Sequence, residues 1–217
     1  MNLAALATLA GGLPFFDLPL LVQAFDDPRP SLRVQLSRWI GQGKIIPLRR
    51  GLYTLGDIYR RTPLIPAVLA NHLCAPSYLS GIWALSFHGL IPDAAVWLTS
   101  VTSRGPRRFE NAVGTFDYRH IKLAGFFGYE RVPQPGGAIL VATPEKALVD
   151  HWYLTAGEWT GARLAEMRYQ QTDLVSVDRL QACADRLRSP RVSRATKRWI
   201  TLAAGEARAH DAGAVTL

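Results

Sequence analysis

The sequence predicts an α+β protein: an N-terminal winged helix-turn-helix over residues 1–61, then a larger domain over 62–205 with a small, mainly antiparallel sheet flanked by helices. Three observations predict it. Ser31 to Leu55, SLRVQLSRWIGQGKIIPLRRGLYTL, reads as an amphipathic helix followed by a tight hairpin. Between Val96 and Ala142 the composition turns β-branched and aromatic, broken by Gly and Pro clusters. From Thr143 onward helical spacing and helix caps return. The small and polar residues of 206–217 suit a flexible tail.

Taken in order, Asn2 caps a first helix that runs through Ala10 and stops at Gly11 and Gly12, with Leu3, Leu6 and Leu9 on one face. Asp17 caps a second, from about Leu18 to Phe25, and Asp26, Asp27, Pro28 and Pro30 turn the chain. In the third helix Leu32, Leu36, Trp39 and Ile40 form the buried face, Ser31 is its N-cap, and Gly41 and Gly43 end it. The runs Lys44–Leu48 and Leu52–Leu55 pair around Arg49, Arg50 and Gly51. Tyr59 to Pro66 reads as a hinge. The second domain opens with two apolar helices, Ile65–Leu73 and about Ser77 to His88, parted by Pro76. Val96–Ser103, Gly114–Ile121, Phe126–Val132 and Ala138–Ala142 read as four strands. Thr143 caps the helix PEKALVDHWYL, with Pro144 at its first position. Further helices follow near Gly161–Tyr169, Ser176–Leu187 and Ser193–Ala204.

Charge points to a partner. The chain carries 25 Lys and Arg against 17 Asp and Glu, a formal net charge of +8, and the pI is near 9.9. Such a surplus favours a polyanion, nucleic acid ahead of a membrane surface. Its placement sharpens this: between residues 29 and 61 eight basic side chains face only Asp57, a local balance of +7. The expected DNA-facing set is Ser31, Arg33, Gln35, Ser37 and Arg38 on the third helix, with Lys44, Arg49 and Arg50 on the hairpin. Arg33, Gln35, Ser37 and Arg38 are placed toward base edges, and Lys44, Arg49 and Arg50 toward phosphate or a minor groove. The bland alternative is a head that contacts protein while its arginines are merely solvated. A possible second basic patch combines Arg104, Arg107 and Arg108, on a loop between strands, with Arg194 and Arg198 near the C-terminus.

Little else suggests chemistry, and no catalytic residue, cofactor or metal site is expected. Cys74 and Cys183 lie far apart, without a Cys or His at ligand spacing, as expected of free thiols in a reducing cytoplasm. The N-terminus lacks the basic region of a signal peptide and is too short to span a bilayer, so it is expected to be a core helix. Tyr78, Ser80 and His88 suit packing and capping. Glu145, Lys146, Asp150 and His151 are the most enzyme-like cluster, but helix-dipole and ion-pair effects on an exposed face account for them. A metal-dependent nuclease using Asp117, Glu145 and Asp150, with the winged helix only for docking, is the alternative class.

Several blocks, LSRWIGQGKIIPLRRGLYTL, APSYLSGIWALSFHGLIP, the VTS of Val101–Ser103 before a basic turn, and TPEKALVDHWYL, together resemble the AbiEi-like antitoxins of type IV toxin–antitoxin systems, grouped with regulators of phage defence. The resemblance covers most of residues 30–155. It implies an N-terminal winged helix and a C-terminal antitoxin domain in a cytoplasmic, non-enzymatic protein. It also implies repression of its own operon through inverted repeats, and neutralisation of a nucleotidyltransferase-like toxin without a necessarily stable complex. Gly81, Ile82 and Trp83 depart from the pattern, which has smaller or polar residues there. A stand-alone regulator is the other non-enzymatic reading.

Overall fold

The computed structural model describes the backbone elements of residues 1–214 and the side chains of residues 1–205. Nine helices and two sheets are present among the described residues, so the fold is α+β. No described helix is long and apolar enough to cross a membrane.

The N-terminal part runs α1 (Leu3–Ala10), β1 (Phe16–Asp17), α2 (Leu18–Ala24), α3 (Arg29–Gly41), β2 (Ile45–Arg49) and β3 (Leu52–Leu55). Asn2 and Asp17 cap as expected: Asn2 Oδ1 accepts from the Ala5 N–H at 2.8 Å and Asp17 Oδ1 from the Leu20 N–H at 3.0 Å. The cap expected at Ser31 is corrected. α3 begins at Arg29 with Pro28 at the N-cap position and Pro30 in its first turn, where a missing N–H costs nothing. It ends at Gly41, and Gly43 takes φ +68° while its N–H returns to the Ile40 carbonyl at 3.0 Å.

Two-residue β1, not foreseen, pairs antiparallel with β3 and completes a three-stranded sheet in the order β1-β3-β2. Gly51, at φ +80°, turns the β2–β3 hairpin, and a register shift between Pro47 and Arg49 sets Leu48 out of the ladder. Pro47 is tolerated because β2 is an edge strand. Leu6, Leu21, Leu32, Leu36, Trp39, Ile45 and Leu55 form the core of this part. Leu48 and Leu52 do not join it; they are buried in the larger core that follows.

The larger part has a six-stranded mixed sheet, β6-β7-β5-β4-β9-β8. Its strands are β4 (Ser77–Leu79), β5 (Leu98–Thr102), β6 (Arg107–Asn111), β7 (Gly114–His120), β8 (Tyr129–Gln134) and β9 (Gly137–Ala142). Pairs β5–β7 and β4–β9 are parallel and the other three antiparallel. Helices α4 (Pro66–Leu73), α5 (Gly81–Phe87), α6 (Pro144–Leu154), α7 (Gly161–Glu166), α8 (Val177–Leu187) and α9 (Pro190–Ala214) surround it.

Two expectations fail here. The helix drawn from Ser77 to His88 is a strand followed by a shorter helix, because Ser77, Tyr78 and Leu79 fill a fully buried central strand and Gly81 turns at φ +59°. The basic loop is in part a strand: Arg107 and Arg108 open β6, an edge strand whose charges suit an exposed rim. α9 is helical past Ala204 to Ala214, whereas residues 215–217 of the expected tail lie outside the described residues.

The stretch read as a hinge is tied to the end of α1, and two further contacts join the parts on either side of it. The Arg61 N–H donates to the Gly11 carbonyl at 2.8 Å, and Thr62 Oγ1 to the Gly12 carbonyl at 2.8 Å. Asn111 Nδ2 at the end of β6 donates to the Leu48 carbonyl at 2.9 Å, and Phe15 packs against His72 with ring centroids 4.6 Å apart. The N-terminal part is therefore docked through its hairpin onto the edge of the larger sheet.

Candidate nucleic-acid interface

α3 buries Leu32, Leu36 and Trp39 and turns Arg33, Val34, Ser37 and Arg38 to solvent, a stripe at helical spacing. Ser31 is exposed in the first turn. Gln35 is half-buried, and its Oε1 is buried with no partner among the described residues, so it stands apart from this stripe. Lys44 is half-buried between α3 and β2. Val34 was not among the expected residues, although it is 69% exposed in mid-helix. A helical projection of α3 places it between the arginines, a signal the sequence did carry.

Arg49 and Arg50 are exposed at the hairpin end. Together with Arg33 and Tyr53 they line an open cleft of about 720 Å³, bounded on its far side by Asp17, Leu18 and Pro19 at the start of α2. Three guanidinium groups from two elements thus share one surface with a single carboxylate. Of the eight basic residues between 29 and 61, Arg60 alone has an ion-pair partner among the described residues. Its guanidinium reaches Asp57, Thr54 Oγ1 and the Leu55 carbonyl, so it fixes the end of the hairpin. The remaining charge is available to a ligand.

The second basic patch is not one surface feature. Arg194 and Arg198 of α9 converge on Glu158, and Arg198 also donates to the Trp159 carbonyl at 2.8 Å. Those bonds hold the Glu158 carboxyl below its usual range, with the Arg194 hydrogen bond the largest cause. Nearby Arg191 donates to the Tyr153, Thr155 and Gly157 carbonyls at the end of α6. These arginines fasten α9 to the segment after α6. On the other side, Arg108 pairs with Glu110 at 2.7 Å and lies over the Trp97 ring, while Arg104 and Arg107 are exposed and unpaired among the described residues.

The enzyme-like cluster is a buried strut, which corrects the exposed face expected for it. Lys146 and Asp150 are fully buried and ion-paired. Asp150 Oδ2 accepts from Tyr78 at 2.9 Å and Ser80 at 2.8 Å, so α6 is bolted to β4 and the start of α5. Burial first, and then the Asp150 charge, push the Tyr78 phenol far above its ordinary value, so it stays a donor. Glu145 accepts from the Ser176 N–H at 3.1 Å and pairs with Arg179 at the start of α8. Asp117 pairs with Arg119 on β7. The three carboxylates thus have separate partners, and among the described residues no three His, Cys, Asp or Glu side chains are grouped to hold a metal. His88 is held by the Ala142 carbonyl at 2.7 Å. Comparison with models of known families and with curated proteins finds no match to this chain.

Proposed function

We propose that the chain is a DNA-binding repressor whose N-terminal part works as a winged helix-turn-helix. One observation carries the reading: Arg33 of α3 and Arg49 and Arg50 of the hairpin line a single open cleft, with no ion-pair partner among the described residues. α3 has the exposed width to enter a major groove, and a hairpin with two arginines at its end suits phosphate or a minor groove. The order of helices, short β1 and hairpin supports the same reading.

The resemblance to AbiEi-like antitoxins extends the proposal. The chain represses its own operon through inverted repeats and counters a nucleotidyltransferase-like toxin, without requiring a stable complex with it. The alternative nuclease gains no support from three carboxylates with separate partners.

The test is a gel shift with the DNA upstream of the chain's own gene, run with and without Mg²⁺. Retarded, intact DNA in both lanes is expected. Metal-dependent cleavage would transfer the chain to the nuclease class, and unretarded DNA would overturn the reading. Co-expression with a neighbouring nucleotidyltransferase separates the second half: growth should be rescued by the wild type and by Arg49→Ala/Arg50→Ala, since neutralisation is assigned to residues after Pro66.

A further inference from the structure

A second concavity, sharing no residue with the cleft of the N-terminal head, lies in the larger part. The loop Ala94–Trp97 closes it, β5 and β7 form its floor, and α5 and the end of α6 form its sides; its volume is about 300 Å³. That is room for one ring with a short substituent, at the small end of ligand sites.

Its chemistry is sparse and specific. Asp117 and Arg119 are two residues apart on β7 and so point to one face of the sheet. Arg119 Nε donates to Asp117 Oδ2 at 2.7 Å, which aligns the guanidinium; its two terminal nitrogens have no partner among the described residues. His151 also lines the cavity, and its Nε2 is buried without a partner. Burial, helped by the Arg163 charge, holds the His151 imidazole down to about 4, so it is neutral near pH 7 and adds no charge. The walls are apolar: Ile82 of α5, Leu154 of α6, and Trp97. Val96 and Trp97 in the closing loop are 91% and 45% exposed, an unusual concentration of apolar surface beside a cavity. Arg108 lies over the Trp97 ring, 5.4 Å from its centroid, and steadies it.

We propose that this cavity binds a small organic carboxylate with a flat apolar body, its oxygens on the two free nitrogens of Arg119 and its ring against Trp97. A planar fork with two free nitrogens matches a carboxylate. The adjacent Asp117 carboxylate offsets the single guanidinium charge, so a monoanion held by two hydrogen bonds meets less repulsion than a dianionic phosphate. The same carboxylate occurs in aryl acids and in aromatic amino acids, where Asp117 would also meet the ammonium group.

Calorimetric titration of the full chain, free of DNA, tests this with phenylacetate, L-phenylalanine and phenethylamine. Saturable one-site binding of phenylacetate or L-phenylalanine is expected, and the tighter of the two identifies the source. Arg119→Met, at an exposed position, should weaken it at least tenfold, Trp97→Ala severalfold, and Lys122→Met not at all. The inference fails if neither acid binds at millimolar concentration, if phenethylamine binds as tightly, or if binding survives Arg119→Met. It stands independently of the DNA reading.

Discussion

Val34 is the residue most exposed to a decisive test. A single apolar side chain on a surface is ordinary. This one lies in the middle of α3, beside Arg33 and one turn before Ser37 and Arg38, with the buried stripe already complete without it. In a major groove the small apolar partner is the thymine methyl group. Replacing thymine by uracil throughout the bound DNA should therefore weaken binding by about fourfold per contacted methyl, the worth of one buried methylene. Val34→Ala should abolish the difference between the two DNAs; an equal response of wild type to both would remove Val34 from the interface. A different test applies to Lys146. Its removal in Lys146→Met strands the Asp150 carboxylate in a dry interior, so urea titration should show a loss of about 3 to 5 kcal/mol. His151 titrates with a predictable sign. Its imidazole is held down to about 4 from an ordinary 6.5. The unfolded chain therefore takes up the proton first as pH falls, and stability declines between pH 6.5 and 4 and levels off below. The decline is worth about 3 kcal/mol. Relative to wild type, His151→Gln should flatten that part of the curve.

At the scale of elements, two groups of arginines separate by what they already touch. Arg49 and Arg50 have no ion-pair partners among the described residues, whereas Arg194 and Arg198 are bound to Glu158. If the hairpin lies along phosphate, Arg49→Ala/Arg50→Ala should make the dependence of log K on log salt shallower by about two. Arg194→Ala/Arg198→Ala should leave that slope unchanged and lower thermal stability instead. The reverse pattern would move the interface to α9. The sequence alone could not tell these arginines apart, because Glu158 lies far from them along the chain and only folding brings it in. The same limit explains β4 and the Lys146–Asp150 pair. A short apolar run such as Ser77–Leu79 has no period to distinguish buried strand from helix. Lys146 and Asp150 stand at the spacing of an ordinary surface pair, and only the Tyr78 and Ser80 hydroxyls show that the pair faces inward. Elements with local signals were legible: the caps at Asn2, Asp17 and Thr143, the α3 periodicity, and the Arg50–Gly51 turn. The candidate cleft was half legible, since its arginines were readable but the meeting of Arg33 with the hairpin end was not.

At the scale of the whole molecule, the hairpin belongs to both parts. Its inner residues Ile45 and Leu55 close the small core, while Leu48 and Leu52 enter the large one. The register shift at Pro47 and Arg49 makes this possible, because it turns Leu48 out of the ladder and toward β6, where Asn111 Nδ2 donates to its carbonyl. Arg49 and Arg50 at the hairpin end are thus flanked on both sides by residues buried in the larger core, and do not sit on a free wing. Residues 1–61 taken alone would expose Leu48 and Leu52, and should unfold at lower temperature than the same segment in the full chain. Leu48→Ala in the full chain should cost about 2 to 5 kcal/mol. Because the hairpin that carries Leu48 contributes residues to both cores, amide exchange should rise together in α3 and in β6, two elements that share no direct sequence neighbourhood. If instead Leu48→Ala loosens β6 and leaves α3 protected, the two parts fold independently, and the hairpin is merely resting on the sheet edge. A cooperative response has a functional consequence: the position of Arg49 and Arg50 relative to α3 is then set by the larger domain, so a destabilising change in β6 such as Asn111→Ala should weaken DNA binding without touching any residue of the cleft.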